Sequence, residues 1–487
     1  MEIWKKYQAL LQRYGFNLLM VLAFWGGMIR KSFNCDTLSH EFVEGADIMV
    51  RIIGGRYVVA LIDFLLLKLW NIRTTTNISV TMIITFLILA IVMMEIQNIF
   101  VRWLPDTWWG KIVFFCGLNL MFLNVLFAEP LMFGEYSVYY AIAYFTAAVG
   151  VKCFAGHKFF SMLIMYAIAV FTYQNAVIFA AVITAFYVFL DEDMRLSQKA
   201  VVREIAGVSV CMGMGVLNYL CLWILDRMGI VSSSKEAVTG NLGRRIGEAV
   251  NHFINLNRNC GGIMPDIWLP LLFTAVIWVL VVYSCIKEQK LSELLFMLLV
   301  WLGCNMVLYV IPVVQGTPPP PRLIFCFFGV QGFLLVSAYV VCQDSLRGIL
   351  VWGGCLYLTA HLLFSNFIVT NHFVSNTLDK VYAKMVYDKI LEYEDETGNY
   401  VTKLAVVRDI NASFYYDDVS YKLDQINERT YGYAPFSLMY AVTGRRFEAA
   451  EMPKSITQKY FYKKNWDYID LNEQLVIEGD TAYWCIF

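Results

Sequence analysis

The sequence predicts a polytopic α-helical membrane protein of about eleven transmembrane helices, followed by a small C-terminal α/β extracytoplasmic domain. Three observations carry this prediction. Of 487 residues, 59% are hydrophobic and only 16% are charged, against about 25% charged in an ordinary soluble chain. Mean hydropathy is +0.57. The charges are also unevenly placed, with 31 among the 118 residues 370–487 and 46 among residues 1–369. A net charge of −1 argues against a simple nucleic-acid binder, and the apolar content argues against disorder. The chain therefore divides into a membrane domain, 1–369, and a water-facing domain, 370–487, long enough to own a core.

A membrane span needs about 20 mostly apolar residues. Such runs fall near 14–30, 78–99, 111–128, 133–151, 159–174, 175–190, 203–226, 266–286, 291–312, 322–342 and 346–368. The apolar stretch 159–190 is too long for one span and is divided at Tyr173-Gln174-Asn175, its only polar break. Residues 46–70 are different. Arg51 and Arg56 interrupt the first half, and Tyr57–Trp70 holds Asp63 and Lys68 within 14 residues. That length and polarity fit helices lying at the membrane surface.

Lysine and arginine accumulate on the cytoplasmic side of membrane proteins. Here they form one series: Lys5, Lys6 and Arg13, then Arg102 and Lys111, Lys152 and Lys158, Arg195, Lys199 and Arg203, Lys287 and Lys290, and Arg347. With eleven spans the N-terminus is cytoplasmic. The loops 30–77, 227–265 and 313–322 then lie outside, with the C-terminal domain. In that domain Val374–Tyr393 has helical spacing, Lys403–Val407 and Ala482–Phe487 read as strands, and Tyr468–Leu475 mixes both patterns. The twelve cysteines sit mostly in apolar runs without metal-ligand spacing, so they read as small buried hydrophobes.

The outer side carries more polar sequence than connections need. Asp36, just past the first helix, can act as general base toward a sugar hydroxyl within hydrogen-bond distance. It fits equally a solvated loop acid or an N-cap. His40 reads as a hydrogen-bonding neighbour, and Glu41 and Glu44 as a solvated face. Glu129, in Ala128-Glu129-Pro130, is a further carboxylate at an apolar helix end. Arg258 lies in a polar, turn-rich segment, and Arg322 follows the run Pro318–Pro321. Guanidinium groups there suit phosphate oxygens, although Arg322 also fits a headgroup anchor. Tyr173-Gln174 falls at the outer end of its run, where polar groups line a cavity or bond between helices.

In order, these elements resemble the GtrII-like bacterial membrane glucosyltransferases of the GT-C class. The matches are Asn34-Cys35-Asp36 after the first helix, Gly55-Arg56-Tyr57, Tyr173-Gln174, and Pro321-Arg322 before a late span. The tail then opens with an Asp-containing helix, Asp379 to Glu392. The resemblance implies a multi-pass enzyme of the bacterial cytoplasmic membrane. Its donor would be a polyprenyl-phosphate sugar, typically glucose, and its acceptor a cell-surface glycan on the outer face. It makes Asp36 the candidate base, with Glu41 and Glu129 as further carboxylates. Arg56, Arg258 and Arg322, with His40, Tyr173 and Gln174, become candidate substrate-binding residues. The family loop often carries two adjacent acids, and Cys35 stands at the first position here. No cofactor is expected, because the outer loops lack a dense acidic cluster. A lipid-linked glycan polymerase or ligase is the nearest rival reading, and a transporter or flippase the non-enzymatic one.

Overall fold

The structure is a computed structural model that describes residues 2–34, 46–72, 74, 77–230, 242–315, 319–408, 434–464, 466 and 468–486. It is a helical membrane protein with a small sheet near its C-terminus. The helices are α1 (Glu2–Trp25), α2 (Ala46–Ile53), α3 (Tyr57–Trp70), α4 (Ile78–Phe100), α5 (Trp108–Asn119), α6 (Ala128–Met132), α7 (Ser137–Ala155), α8 (Phe159–Thr172) and α9 (Ala176–Asp191). They continue with α10 (Gln198–Arg227), α11 (Leu242–Asn259), α12 (Leu269–Lys287), α13 (Leu291–Leu308), α14 (Val310–Gln315), α15 (Pro321–Ile324), α16 (Cys326–Val341), α17 (Asp344–Thr397) and α18 (Ala434–Thr443).

By length and composition, seven helical segments of the described residues can cross a membrane: Ile78–Trp103, Ser137–Ala155, Gln198–Arg227, Leu269–Lys287, Leu291–Leu308, Pro321–Val341 and Asp344–Thr397. The run 159–190 becomes two shorter apolar helices, α8 and α9, parted where the sequence predicts. Two other expected spans are interrupted for local reasons. The run 111–128 stops being helical at Asn119, and Asn124 caps the short turn that follows by accepting from the backbone N–H of Leu126 and Phe127. The run 291–312 breaks at Tyr309, three residues before Pro312. Proline offers no N–H to the turn before it.

Segment Pro321–Val341 is the centre of the bundle, almost wholly covered by other helices. Its closest neighbour is α5. A Cβ on Gly332 would lie 2.0 Å from the Gly117 carbonyl oxygen, and one on Gly117 would lie 2.5 Å from that of Gly332. Only two glycines permit this backbone approach, the small-residue crossing that membrane helices favour.

Helix α17 differs from the sequence expectation of a last span followed by a separate helix. It runs without a break through residue 370 for 54 residues and ends at Gly398, whose φ is 72°. From Cys355 to Thr397 it contains neither glycine nor proline. Apolarity stops near residue 369, but nothing in the backbone stops the helix. Its far end packs on the sheet of β1 (Lys403–Arg408), β2 (Glu448–Ala449), β3 (Leu475–Glu478) and β4 (Thr481–Ile486), in the order β2-β1-β4-β3. Strand β4 runs parallel to β1 and antiparallel to β3. Tyr382, Val386 and Ile390 of α17 bury with Leu404, Trp484 and Leu438 in one core. The strands expected at Lys403–Val407 and Ala482–Phe487 are thus present, within a residue at their described ends.

Candidate active site

The site begins where the first loop leaves α1. Asn34 is buried and its Nδ2 donates to the Met132 carbonyl at 2.9 Å. The Phe33 backbone N–H donates to Asn376 Oδ1 of α17 at 2.7 Å. The loop is therefore clamped between α6 and α17 at Asn34. Asp36, His40 and Glu41 lie outside the described residues, two to seven positions further on.

Arg56 is presented by the turn between α2 and α3. Gly55 has φ 71°, a conformation that favours glycine. The turn is held from the α8–α9 junction and from within α10. Gln174 Nε2 donates to the Gly54 carbonyl, and Asn218 Nδ2 of α10 donates to the Gly55 carbonyl at 2.8 Å. The Arg56 guanidinium then stands 5.0 Å from the Tyr136 ring centre and 5.8 Å from that of Tyr173. Its Nε is buried and has no hydrogen-bond partner among the described residues.

Tyr173, between α8 and α9, packs on Tyr140 with ring centres 4.5 Å apart. Its hydroxyl donates to the Arg322 carbonyl at 3.3 Å, and Asn175 Nδ2 donates to the same oxygen at 2.9 Å. Arg322 is thereby fixed at its backbone. One carboxylate oxygen of Glu129 accepts its N–H at 2.7 Å, and the other pairs with its guanidinium. Glu129 is 2% exposed and Arg322 30%. Their contact orients Arg322 over Phe133, 5.1 Å from the ring centre.

Sequence reasoning did not assign five further contributors, Arg51, Asp63, Tyr136, Tyr139 and His372. Arg51 is fully buried, pairs with Asp63 at 3.0 Å and lies 3.7 Å from the Tyr136 ring centre. Asp63 also accepts from the Tyr139 hydroxyl. The available signal was a pair of opposite charges inside apolar surface helices, which must meet a partner. The tyrosines alone gave none, since aromatic residues recur throughout the chain. On α17, one turn from Asn376, His372 is buried with both ring nitrogens unpartnered among the described residues.

The structure thus brings together Asn34, Arg56, Glu129, Tyr173, Gln174 and Arg322. It does not bring Arg258 into these contacts. Arg258 is exposed at the end of α11, with Nε and Nη2 both on the Asp266 carboxylate. The guanidinium beside it holds the Asp266 carboxyl below its ordinary range. Among the three inner arginines, Arg51 and Arg322 each face a carboxylate, while the Arg56 guanidinium faces the rings of Tyr136 and Tyr173. Arg56 is the cation best placed to meet an incoming anion, and aromatic faces hold such a group without neutralising it. No group of three or more His, Cys, Asp and Glu suited to a metal ion occurs among the described residues.

An open depression lined by Gln198, Lys199, Val202, Arg203 and Ala206 occupies the N-terminal turns of α10. At about 1.5 Å per residue, it lies roughly 18–30 Å along the helix from Asn218. Comparison with family models, with characterised proteins and with solved structures finds no match to this chain.

Proposed function

We propose that the protein is a membrane glycosyltransferase that moves a hexose, glucose by resemblance, from a polyprenyl-phosphate donor to a cell-surface glycan on the outer face of the bacterial cytoplasmic membrane. One observation carries this reading. Residues that stand far apart in sequence and were singled out for this chemistry, Arg56, Tyr173, Gln174 and Arg322, meet through direct contacts. The loop leading to Asp36 is fastened beside them.

In this reading, the acceptor hydroxyl oxygen bonds to the anomeric carbon as the bond from that carbon to the phosphate oxygen breaks. Asp36 takes the hydroxyl proton, and the lipid leaves as a phosphate monoester. Arg56 and Arg322 hold its oxygens as negative charge builds there. Glu129 keeps Arg322 aimed, and Gln174 with Asn218 keeps the turn that presents Arg56. The proposed topology of about eleven spans has the N-terminus in the cytoplasm and residues 370–487 outside, where the sheet domain would meet the acceptor.

The test is transfer of labelled sugar in membranes supplied with a panel of polyprenyl-phosphate sugars. Incorporation from one donor is expected, with a loss of about 10²–10⁴-fold for Asp36→Asn at equal protein level. No incorporation from any donor by folded protein would end the enzymatic reading in favour of a transporter. A reporter on Phe487 active only in the cytoplasm would move the site to the other face.

A further inference from the structure

Helix α11 has three faces rather than two. At about 100° per residue, Arg245, Ala249, Phe253 and Leu256 share an inward face. Phe253 packs on Phe327 with ring centres 5.9 Å apart, Leu256 is buried, and Arg245 donates to the Val314 carbonyl at 3.2 Å. Arg244, Glu248, Asn251 and Asn255 form an exposed polar face. Between them runs a third strip. Leu242, Ile246, Val250 and Ile254 are 60%, 49%, 52% and 45% exposed. Spaced four apart, each advances about 40° around the axis, so they make one continuous aliphatic flank.

We propose that α11 lies in the plane of the membrane surface, with this flank in the acyl chains of phospholipids and its polar face toward water. A helix supported by protein on one side and polar on another has only this flank left to bury, which is the signature of an interfacial helix. The flank continues into a lipid-facing surface. Trp268, Leu271 and Leu272, at the start of the apolar helix α12, are likewise exposed. A tryptophan at a span's start marks the headgroup level. Arg244 and Arg258 stand on the adjoining face, paired with Glu248 and Asp266, where an interfacial helix would hold them near lipid phosphates. A second copy of the chain is the poorer occupant, because one file of four side chains falls far short of the roughly 800 Å² per partner of a stable interface.

The proposal does not depend on the catalytic reading, and its test needs no activity. The full chain is reconstituted in vesicles of phosphatidylethanolamine and phosphatidylglycerol. Single photoreactive replacements are made, Val250→benzoylphenylalanine and Ile246→benzoylphenylalanine on the flank, with Asn251→benzoylphenylalanine and Asn255→benzoylphenylalanine on the polar face. Illuminated protein is digested, and the peptides are weighed for lipid adducts. The flank positions should exceed the polar ones by about tenfold or more. Equal yields on the two faces, no lipid adduct at either flank position, or a flank cross-link to a second chain would each overturn the proposal.

Discussion

Glu129 and Arg322 stand 193 positions apart, yet one carboxylate grips the other residue at both its backbone N–H and its guanidinium. Nearly all of Glu129 is withdrawn from solvent. A contact of this kind orients a cation while leaving part of it open to solvent.

Removing one partner of a fully buried pair costs about 3–5 kcal/mol, and less where the remaining cation, like Arg322, keeps 30% of its side chain exposed. Glu129→Ala should therefore lower the thermal midpoint of the detergent-purified protein. Glu129→Gln should do so less, since its amide oxygen still accepts the Arg322 backbone N–H. The double change Glu129→Leu with Arg322→Leu should recover much of the loss. A double variant no more stable than Glu129→Ala would mean that the two residues are not coupled.

Gly55→Ala should impair donor binding through Arg56. A left-handed residue with a Cβ costs about 1–2 kcal/mol, and here the added carbon would lie 2.7 Å from Asn218 Oδ1 and 2.8 Å from Gln174 Nε2. Gly229 has a similar φ, 68°, with nothing near its Cβ position, so Gly229→Ala supplies the control for strain alone. Binding of a labelled polyprenyl-phosphate sugar should fall only in the first variant.

Gly332→Ala and Gly117→Ala should each force α5 and α16 apart. Overpacking typically costs about 1–3 kcal/mol, and the clash here is with backbone, which cannot rotate away. Gly303→Ala, where a Cβ meets nothing within 4 Å, should be silent. The yield of monodisperse protein after size exclusion reads the difference, and equal yields from all three would remove the crossing from the account.

Arg445 forms two contacts of 2.6 and 3.0 Å with Glu394, near the water-facing end of α17, and holds its carboxyl below the ordinary glutamate range. A depressed carboxyl stabilises the fold above its unfolded value and loses that contribution as pH falls through the folded one. The tail should thus resist protease unchanged from neutral pH down to the ordinary carboxylate range, and yield below it. Arg445→Ala should already be more susceptible at neutral pH. An unchanged acid limit in that variant would assign the acid sensitivity elsewhere.

What the sequence made legible was local. The surface helices of 46–70, the polar break at Tyr173-Gln174-Asn175 and the strand at Lys403–Val407 each carry their signal within a few residues. Glu129 and Arg322 were separately conspicuous as charges at apolar helix ends, but no spacing joins them. Arg51 read as an interruption because its partner Asp63 lies on the next helix. The continuity of α17 was hidden by composition, since polarity changes at residue 369 whereas the backbone has no reason to stop before Gly398.

An unjointed helix of 54 residues is about 80 Å long, and it behaves as a shaft. The sheet is fastened to it by Tyr382, Val386 and Ile390, and Asn376, less than two turns nearer the membrane, grips the amide of Phe33. Torque applied to the sheet by anything it holds reaches the first loop without a hinge to absorb it. The sheet and the chain at Phe33 therefore share one mechanical load.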